Sequence, residues 1–543
     1  MHVRRALTVL AVVATLACWP VVAPAAGSQP ERRSPASGSP AATTAAAAAA
    51  ASVEADFDND GLADLAVGVP REGVGGADLA GAVNVLPGSP TGLTGAGSQQ
   101  WFQGGGGVPD TAEPSDFFGS ALAAGDFNND GFGDLAIGAP GEDVGTIIGA
   151  GAVNVLYGSA GGLSAGGGQL FSQDTAGVLG SAEAEDGFGS ALGVGDFDND
   201  GFADLAVGVP AEGLGAVTQA GAVNVLYGSA GGLTATGNQQ LLQGVGGVLG
   251  TAEIGDEFGF ALTSGDFNAD GFGDLAIGVP FEDVGTRFDA GGINVLYGSA
   301  ADLSVTGDQV FFQGTGGIAG VAETSDFFGS TLAGGDFDND GADDLAIAAP
   351  FEDIGSVLDA GAINVVYGSP TKLSATGDQQ FFQGGAGVVG VAEEGDGFGL
   401  ALVGGDFDAN GFDDLAIGAI SEDIGATVDA GAVNVLYGSA SRLSATGDQQ
   451  FFQGRGGLVG VAEEGDFVGA ALASGDYDND TFADLAVGVP FEDVGSVLDA
   501  GAVDTLNGSA GRLTPTGGQQ FRQGSGGVPG TPEEGDTFGS SLA

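Results

Sequence analysis

The chain has 543 residues, 72 acidic against 11 basic, for a formal charge of −61, with one Cys, one His and 108 Gly. That balance argues against nucleic acid and anionic membrane surfaces as partners, because both repel a strongly acidic protein. A hydrophobic content of 43% supports a packed core, so the acidity does not imply disorder.

Residues 1–25 read as a secretory leader. Arg4 and Arg5 form a basic start, Ala6 to Ala17 is an apolar run too short for a typical membrane span, and Ala23-Pro24-Ala25 is a small-x-small cleavage site. Cleavage there removes His2 and Cys18, which excludes disulfides, cysteine nucleophiles and histidine-ligated metal from the mature chain. Cys18 after Leu16-Ala17 leaves a lipid anchor as the alternative, weakened by Thr15 where an aliphatic residue is preferred. Residues 26–52, rich in Ala, Ser and Pro, lack a periodic apolar face and read as a linker. Everything from residue 53 to 543 is repetitive.

The repeated unit is clearest in DFDNDGFADLAVGVP, Asp196 to Pro210, whose variants begin at Asp56, Asp126, Asp196, Asp266, Asp336, Asp406 and Asp476, 70 residues apart. A fixed period of this size means a repeat architecture. Oxygen-bearing side chains occupy loop positions 1, 3, 5 and 9, with the carbonyl of position 7 as a further donor. The candidate ligands of the seven copies are Asp56, Asp58, Asp60, Leu62 and Asp64; Asp126, Asn128, Asp130, Phe132 and Asp134; Asp196, Asp198, Asp200, Phe202 and Asp204; Asp266, Asn268, Asp270, Phe272 and Asp274. The last three are Asp336, Asp338, Asp340, Ala342 and Asp344; Asp406, Asp408, Asn410, Phe412 and Asp414; Asp476, Asp478, Asp480, Phe482 and Asp484. Alternating Asp and Asn in a tight turn aim several hard oxygens at one centre, as calcium requires. One Ca2+ per copy is therefore expected, up to seven. The alternative is a set of polar Asx turns without metal, which leaves carboxylates repelling one another.

The loop is not an EF-hand. Position 12 is apolar in every copy (Val67, Ile137, Val207, Ile277, Ile347, Ile417, Val487), where an EF-hand needs a bidentate Glu. A strand and then Pro follow, so the metal sits in a β-hairpin. Asn128, Asn268 and Asn410 each replace a carboxylate and should weaken their sites. Thr481 stands where the other copies have a turn Gly, which makes the seventh site the weakest.

Taken in order through the second copy, FGSALAAGDF (Phe118–Phe127) reads as a first strand and DLAIGAP (Asp134–Pro140) as a second. GAVNVLYGS (Gly151–Ser159) reads as a third strand buried on both faces, and QLFSQ as a fourth. Four short strands per copy with no helical stretch predict an all-β, seven-bladed propeller of four-stranded blades, with an open β-solenoid as the alternative. The repeat region starts at about Val53 with a metal loop lacking its first strand and ends on DTFGSSLA (Asp536–Ala543), a first strand lacking its metal loop, for which truncation of a longer chain is the competing explanation. The two ends are expected to meet in one blade and close the ring.

Across Phe118 to Pro140 the chain resembles the FG-GAP repeats of integrin α-subunit propellers and their bacterial secreted relatives. Phe118-Gly119 supplies the FG and Gly138-Ala139-Pro140 the GAP. FG recurs at Phe188, Phe258, Phe328, Phe398 and Phe538, with Val468-Gly469 in the seventh copy. GAP drifts to GVP in four copies, to Ala348-Ala349-Pro350 and to Gly418-Ala419-Ile420. The resemblance implies a seven-bladed propeller, calcium between the first and second strands, and adhesion or ligand binding on the opposite face. No copy carries an inserted domain, and no D-x-S-x-S metal motif is present.

Gly162-Leu163-Ser164-Ala165-Gly166 fits the G-x-S-x-G pattern, but a hydrolase elbow needs a His that the mature chain lacks. Paired carboxylates are the catalytic chemistry left open. Glu282-Asp283, Glu352-Asp353, Glu422-Asp423 and Glu492-Asp493 follow the second strand, and Glu393, Glu394 and Asp396 precede the next FG. Such acids could hydrolyse a glycoside. Their near-identical recurrence instead favours a structural role or a further cation site. Phe281, Phe351 and Phe491 precede three of the pairs, facing a ligand or packing between blades. The sequence thus points to a secreted, monomeric, calcium-binding module with a protein or glycan ligand, and the alternative is a carboxylate-based hydrolase on the same scaffold.

Overall fold

In the computed structural model, which describes residues 55–543 apart from 386, 455 and 456, the chain builds seven four-stranded antiparallel sheets. The proposed leader, the linker and Cys18 lie outside the described residues. The second copy shows the plan: strands Ala121–Gly125, Asp134–Ala139, Ala152–Tyr157 and Ser164–Phe171 pair in sequence order. First strands of successive sheets contact one another in an unbroken cycle, so they line the axis and the fourth strands form the rim. This is a seven-bladed β-propeller.

Burial follows that plan. The second and third strands are buried at every residue, which explains their continuous apolar runs. The fourth strand is longer than the sequence pattern suggests. It starts at Ser164 rather than near Gln169, because a bulge between Val155 and Tyr157 restores pairing at Tyr157 with Ser164. Polar residues there sit on the half-exposed rim and carry no apolar period.

The FG and GAP signatures mark one point of contact between blades. A Cβ on Gly138 would lie 2.1 Å from the carbonyl oxygen of Gly189, the FG glycine of the next blade. Gly68 and Gly119, Gly208 and Gly259, Gly278 and Gly329, Gly418 and Gly469, and Gly488 and Gly539 are related in the same way. No side chain fits in those six seams. In the remaining seam Ala348 supplies a methyl, 3.0 Å from where a Cβ on Gly399 would be. The blade that follows is the one whose first strand is extended, Phe398–Gly405.

The ring closes as expected. Ser541–Leu542 pairs with Leu65–Val69 (Val67 with Leu542, Gly68 with Ser541), and Ala66 and Ala543 exchange backbone hydrogen bonds of 2.8 and 3.1 Å. Phe538 is fully buried in that blade. The counterpart at Val53 lies outside the described residues.

Candidate metal centres

Each Asp-rich loop links a first strand to a second at one end of the propeller, and its own backbone holds its side chains in place. In the first copy both oxygens of Asp56 accept backbone N–H groups, from Asp60 at 3.0 Å and Gly61 at 2.8 Å. Asp60 accepts from Leu62 at 3.0 Å. Asp64 is buried and accepts from Phe57 and from Gly88, both at 2.9 Å; Gly88 lies in the turn after the third strand. The turn requires left-handed backbone at position 4 (Asn59, φ 55°) and at position 6 (Gly61, φ 88°). Asn tolerates that region and Gly is free in it, which accounts for the D-x-D-N-D-G spelling.

Position 3 is different. The inner oxygens of Asp58, Asn128, Asp338, Asp408 and Asp478 are buried and accept no hydrogen bond. Positions 1, 3 and 9 converge, with one oxygen from each within 4.8 Å of the others, in five copies: Asp56, Asp58 and Asp64; Asp196, Asp198 and Asp204; Asp336, Asp338 and Asp344; Asp406, Asp408 and Asp414; Asp476, Asp478 and Asp484. In the second and fourth copies Asn128 and Asn268 occupy position 3, leaving Asp126 with Asp134 and Asp266 with Asp274 as the carboxylates at positions 1 and 9. The position-5 residues Asp60, Asp130, Asp200, Asp270, Asp340, Asn410 and Asp480 lie exposed at the rim of the loop. Each holds the N–H of position 7, at 2.8–3.1 Å (Leu62, Phe132, Phe202, Phe272, Ala342, Phe412, Phe482). In the seventh copy Thr481 takes the left-handed turn at φ 80°, its N–H still reaching Asp476 at 2.9 Å. The loop closes there, but a β-branched residue is strained in that conformation.

Burial pushes the position-9 carboxyls up, to about 7 at Asp64, Asp134 and Asp484 and about 8 at Asp204, Asp274, Asp344 and Asp414. Backbone hydrogen bonds offset part of this, while neighbouring loop carboxylates add to it. An all-oxygen donor set, a buried oxygen without a donor, and acids held above their ordinary range fit a hard divalent cation.

The loops are also tied into a belt. The position-8 N–H of each loop donates to the position-1 carbonyl of the preceding blade, from Gly133 to Asp56 at 2.9 Å round to Ala63 to Asp476 at 3.1 Å. That linkage was not legible, because position 8 varies among Ala, Gly and Asp; where it is Asp, the side chains of Asp343 and Asp413 also accept the N–H of Asp266 and Asp336, at 2.8 and 2.9 Å.

Six segments match the family model for the FG-GAP repeat: 47–86, 118–156, 188–226, 258–296, 328–366 and 468–506. The chain is an FG-GAP repeat protein. The sixth blade, 398–436, is not among the matched segments; it follows the Ala348 seam and carries Ile420 in place of the GAP proline. The FG-GAP chain is 37% identical over 163 residues to phosphatidylinositol-glycan-specific phospholipase D of Rattus norvegicus, covering 30% of this chain and 18% of that protein. It is 30% identical over 238 residues to integrin alpha-5 of Xenopus laevis, covering 44% and 20%. It therefore spans about a fifth of the length of these relatives. A solved exotype rhamnogalacturonan lyase overlaps 84% of this chain and 76% of its own at 13% identity and a TM-score of 0.37, too loose an agreement to carry an argument.

At the opposite end of the FG-GAP propeller the acidic pairs take up the structural positions that their recurrence favours. The glutamates of the acidic pairs do not line a binding face. Glu282, Glu352, Glu422 and Glu492 are 7–8% exposed and meet a buried Gln from the preceding blade. The Nε2 of Gln103 donates to Glu142 at 2.6 Å, Gln243 to Glu282 at 3.1 Å, Gln453 to Glu492 at 2.9 Å, and Gln523 to Glu72 across the closing seam at 2.8 Å. Asp283 and Asp353 accept the N–H of Asp289 and Asp359 and so close their own loops. Asp396 is buried and accepts the N–H of Glu393. These acids are joints between and within blades. Ser164 of the G-x-S-x-G match starts a rim strand and accepts the N–H of Gly166, with no helix behind it.

The same end carries a feature that only departures from the repeat could have revealed. Phe260, Phe281, Phe327 and Phe351 form an edge-to-face chain with centroids 5.9, 5.1 and 5.4 Å apart, and Phe467 and Phe491 form a second pair at 5.5 Å. At the position of Phe281, blades one to three hold Arg71, Gly141 and Ala211.

Proposed function

We propose that this chain is a secreted, calcium-stabilised binding module, with its ligand site on the end opposite the metal loops and no catalysis there. The carrying observation is the asymmetry of that end. Its buried joints repeat round the ring, whereas the stacked aromatics lie in blades four to seven, and exposed apolar tips run from Ile148 in blade two to Leu498 in blade seven. Phe288 is 64%, Val391 69% and Val461 70% exposed. Apolar tips on a rigid scaffold, rimmed by acidic loops, suit a protein or glycan ligand that brings apolar surface and positive or cation-bridged charge. In the metal loops, positions 1, 3, 5 and 9 and the position-7 carbonyl would hold calcium, which supplies the positive charge those carboxylates lack. Secretion rests on the leader; no helix among the described residues is long and apolar enough to cross a membrane.

The test is a glycan and protein array probed with and without calcium, using the natural chain and a Phe288→Asp, Val391→Asp, Val461→Asp variant. Loss of the captured ligand at an unchanged melting temperature supports the reading. Sustained turnover of a glycan or phosphodiester, abolished by one carboxylate-to-amide change, would replace it with the hydrolase.

A further inference from the structure

One seam breaks the pattern that the other six share. On the third strand, Asn84, Asn154, Asn224, Asn294, Asn364 and Asn434 are fully buried, and each Nδ2 donates to a carbonyl of the preceding blade at 2.7–3.1 Å. In the seventh blade this residue is Asp504, on Ala502–Leu506, equally buried. A carboxylate cannot donate. The carbonyl that the repeat places opposite it, Val459, takes the Nε2 of Gln520 at 3.4 Å instead. Both oxygens of Asp504 are left buried without a hydrogen-bond partner; the Oε1 of Gln453 is unpartnered too, as is its equivalent in each of the other seams.

The charged groups that face Asp504 are acidic. Glu492, from the loop after the second strand, and Asp466, from the loop before the first, both oppose its negative charge. Beyond them, Glu463, Asp493 and Arg522 act on Glu492, and Arg522 is the one cation of the group. The neutral side chains of Gln453 and Gln520 lie close enough to offset part of that opposition, although neither completes a hydrogen bond to Asp504. A site with no solvent access cannot meet a substrate, so this non-repeating acid does not serve catalysis on a ligand. Glu492 has the Gln453 amide as a donor, as Glu142 and Glu282 have those of Gln103 and Gln243, which leaves Asp504 as the group in want of a proton.

We infer that Asp504 is carried as a neutral acid, standing in for the asparagine of the other seams, and that its ionisation loosens the joint between blades six and seven as pH rises. Burial and the two facing acids both hold its carboxyl well above the usual range, in agreement with this geometry. An acid that binds its proton more tightly folded than unfolded makes its full contribution below the unfolded value. It loses that contribution as pH rises toward the folded one.

The experiment compares denaturant midpoints of the natural chain and Asp504→Asn between pH 5 and 9. The variant's advantage is expected to widen by about tenfold in the unfolding equilibrium constant per pH unit until the folded carboxyl ionises. Asn364→Asp should transplant the same pH-dependent loss to the seam between blades four and five. A gap that is constant with pH in either variant overturns the proposal. The gap should also be the same in chelator and in excess calcium, sodium or potassium. A gap that closes when one of these cations is added means the seam holds a metal ion rather than a proton, and overturns it too.

Discussion

The two ends of the propeller use acidic residues in opposite ways. At the metal-loop end, carboxylates converge, and five loops leave an inner oxygen with no donor. At the other end, equally buried acids are met by a glutamine amide, like Glu142, or held by a nearby backbone N–H, like Asp116. The first arrangement is left incomplete by the chain itself; the second draws its donors from the chain, although the Oε2 of Glu352 and of Glu422 has none. Repetition therefore marks two different kinds of structure, and the proposed recognition rests on where the repeat fails, in the stacked aromatics of blades four to seven.

The largest expected effect tests the incomplete end. Chelation should lower the melting temperature steeply. At free calcium tenfold above Kd each site contributes about 1.4 kcal/mol, on the order of 10 kcal/mol for seven. A melting curve unchanged by chelator would remove the distinction between the ends. Next comes the closing blade, which both ends share. Deleting Asp536–Ala543 strips out buried Phe538 and Leu542 and reopens the ring, at a cost of about 5 kcal/mol from lost apolar burial alone. Differential scanning calorimetry with and without calcium checks this, and a truncated protein that melts with the full chain refutes it.

Glu282→Lys probes the complete end. It puts a cation where Gln243 presents its amide, so a loss of about 3–5 kcal/mol is expected, with calcium affinity at intact loops unaltered. Calcium titration of the folded variant separates this from a metal effect. The smallest change sharpens the metal end. Thr481→Gly relieves a left-handed threonine, so a gain of about 1 kcal/mol is expected together with tighter calcium binding at that blade. Isothermal titration should show the weakest class of sites disappearing; unchanged binding would mean that strain at Thr481 does not limit the site.

Much of this was legible because the repeat multiplies weak signals. The 70-residue period, alternating Asp positions and small-residue FG and GAP points specify blades, hairpin loops and their order through local backbone preference and steric necessity. Complementary defects at the two ends were enough to expect ring closure. The fate of each acid was not legible, since Glu282 and Asp274 are both carboxylates beside strands. What separates them is whether the surroundings present an amide, a backbone N–H or nothing, and that is a contact between residues far apart in sequence, 451 positions apart for Gln523 and Glu72. By itself the sequence determined the propeller and which loops gather oxygens that could hold a hard cation, because chain-local geometry sets turns and donor spacing. Only the tertiary structure decided which oxygens remain unpaired, that Gln–Glu joints bind the blades, and that Asp504 sits without a donor, because burial and pairing are properties of the packed seam.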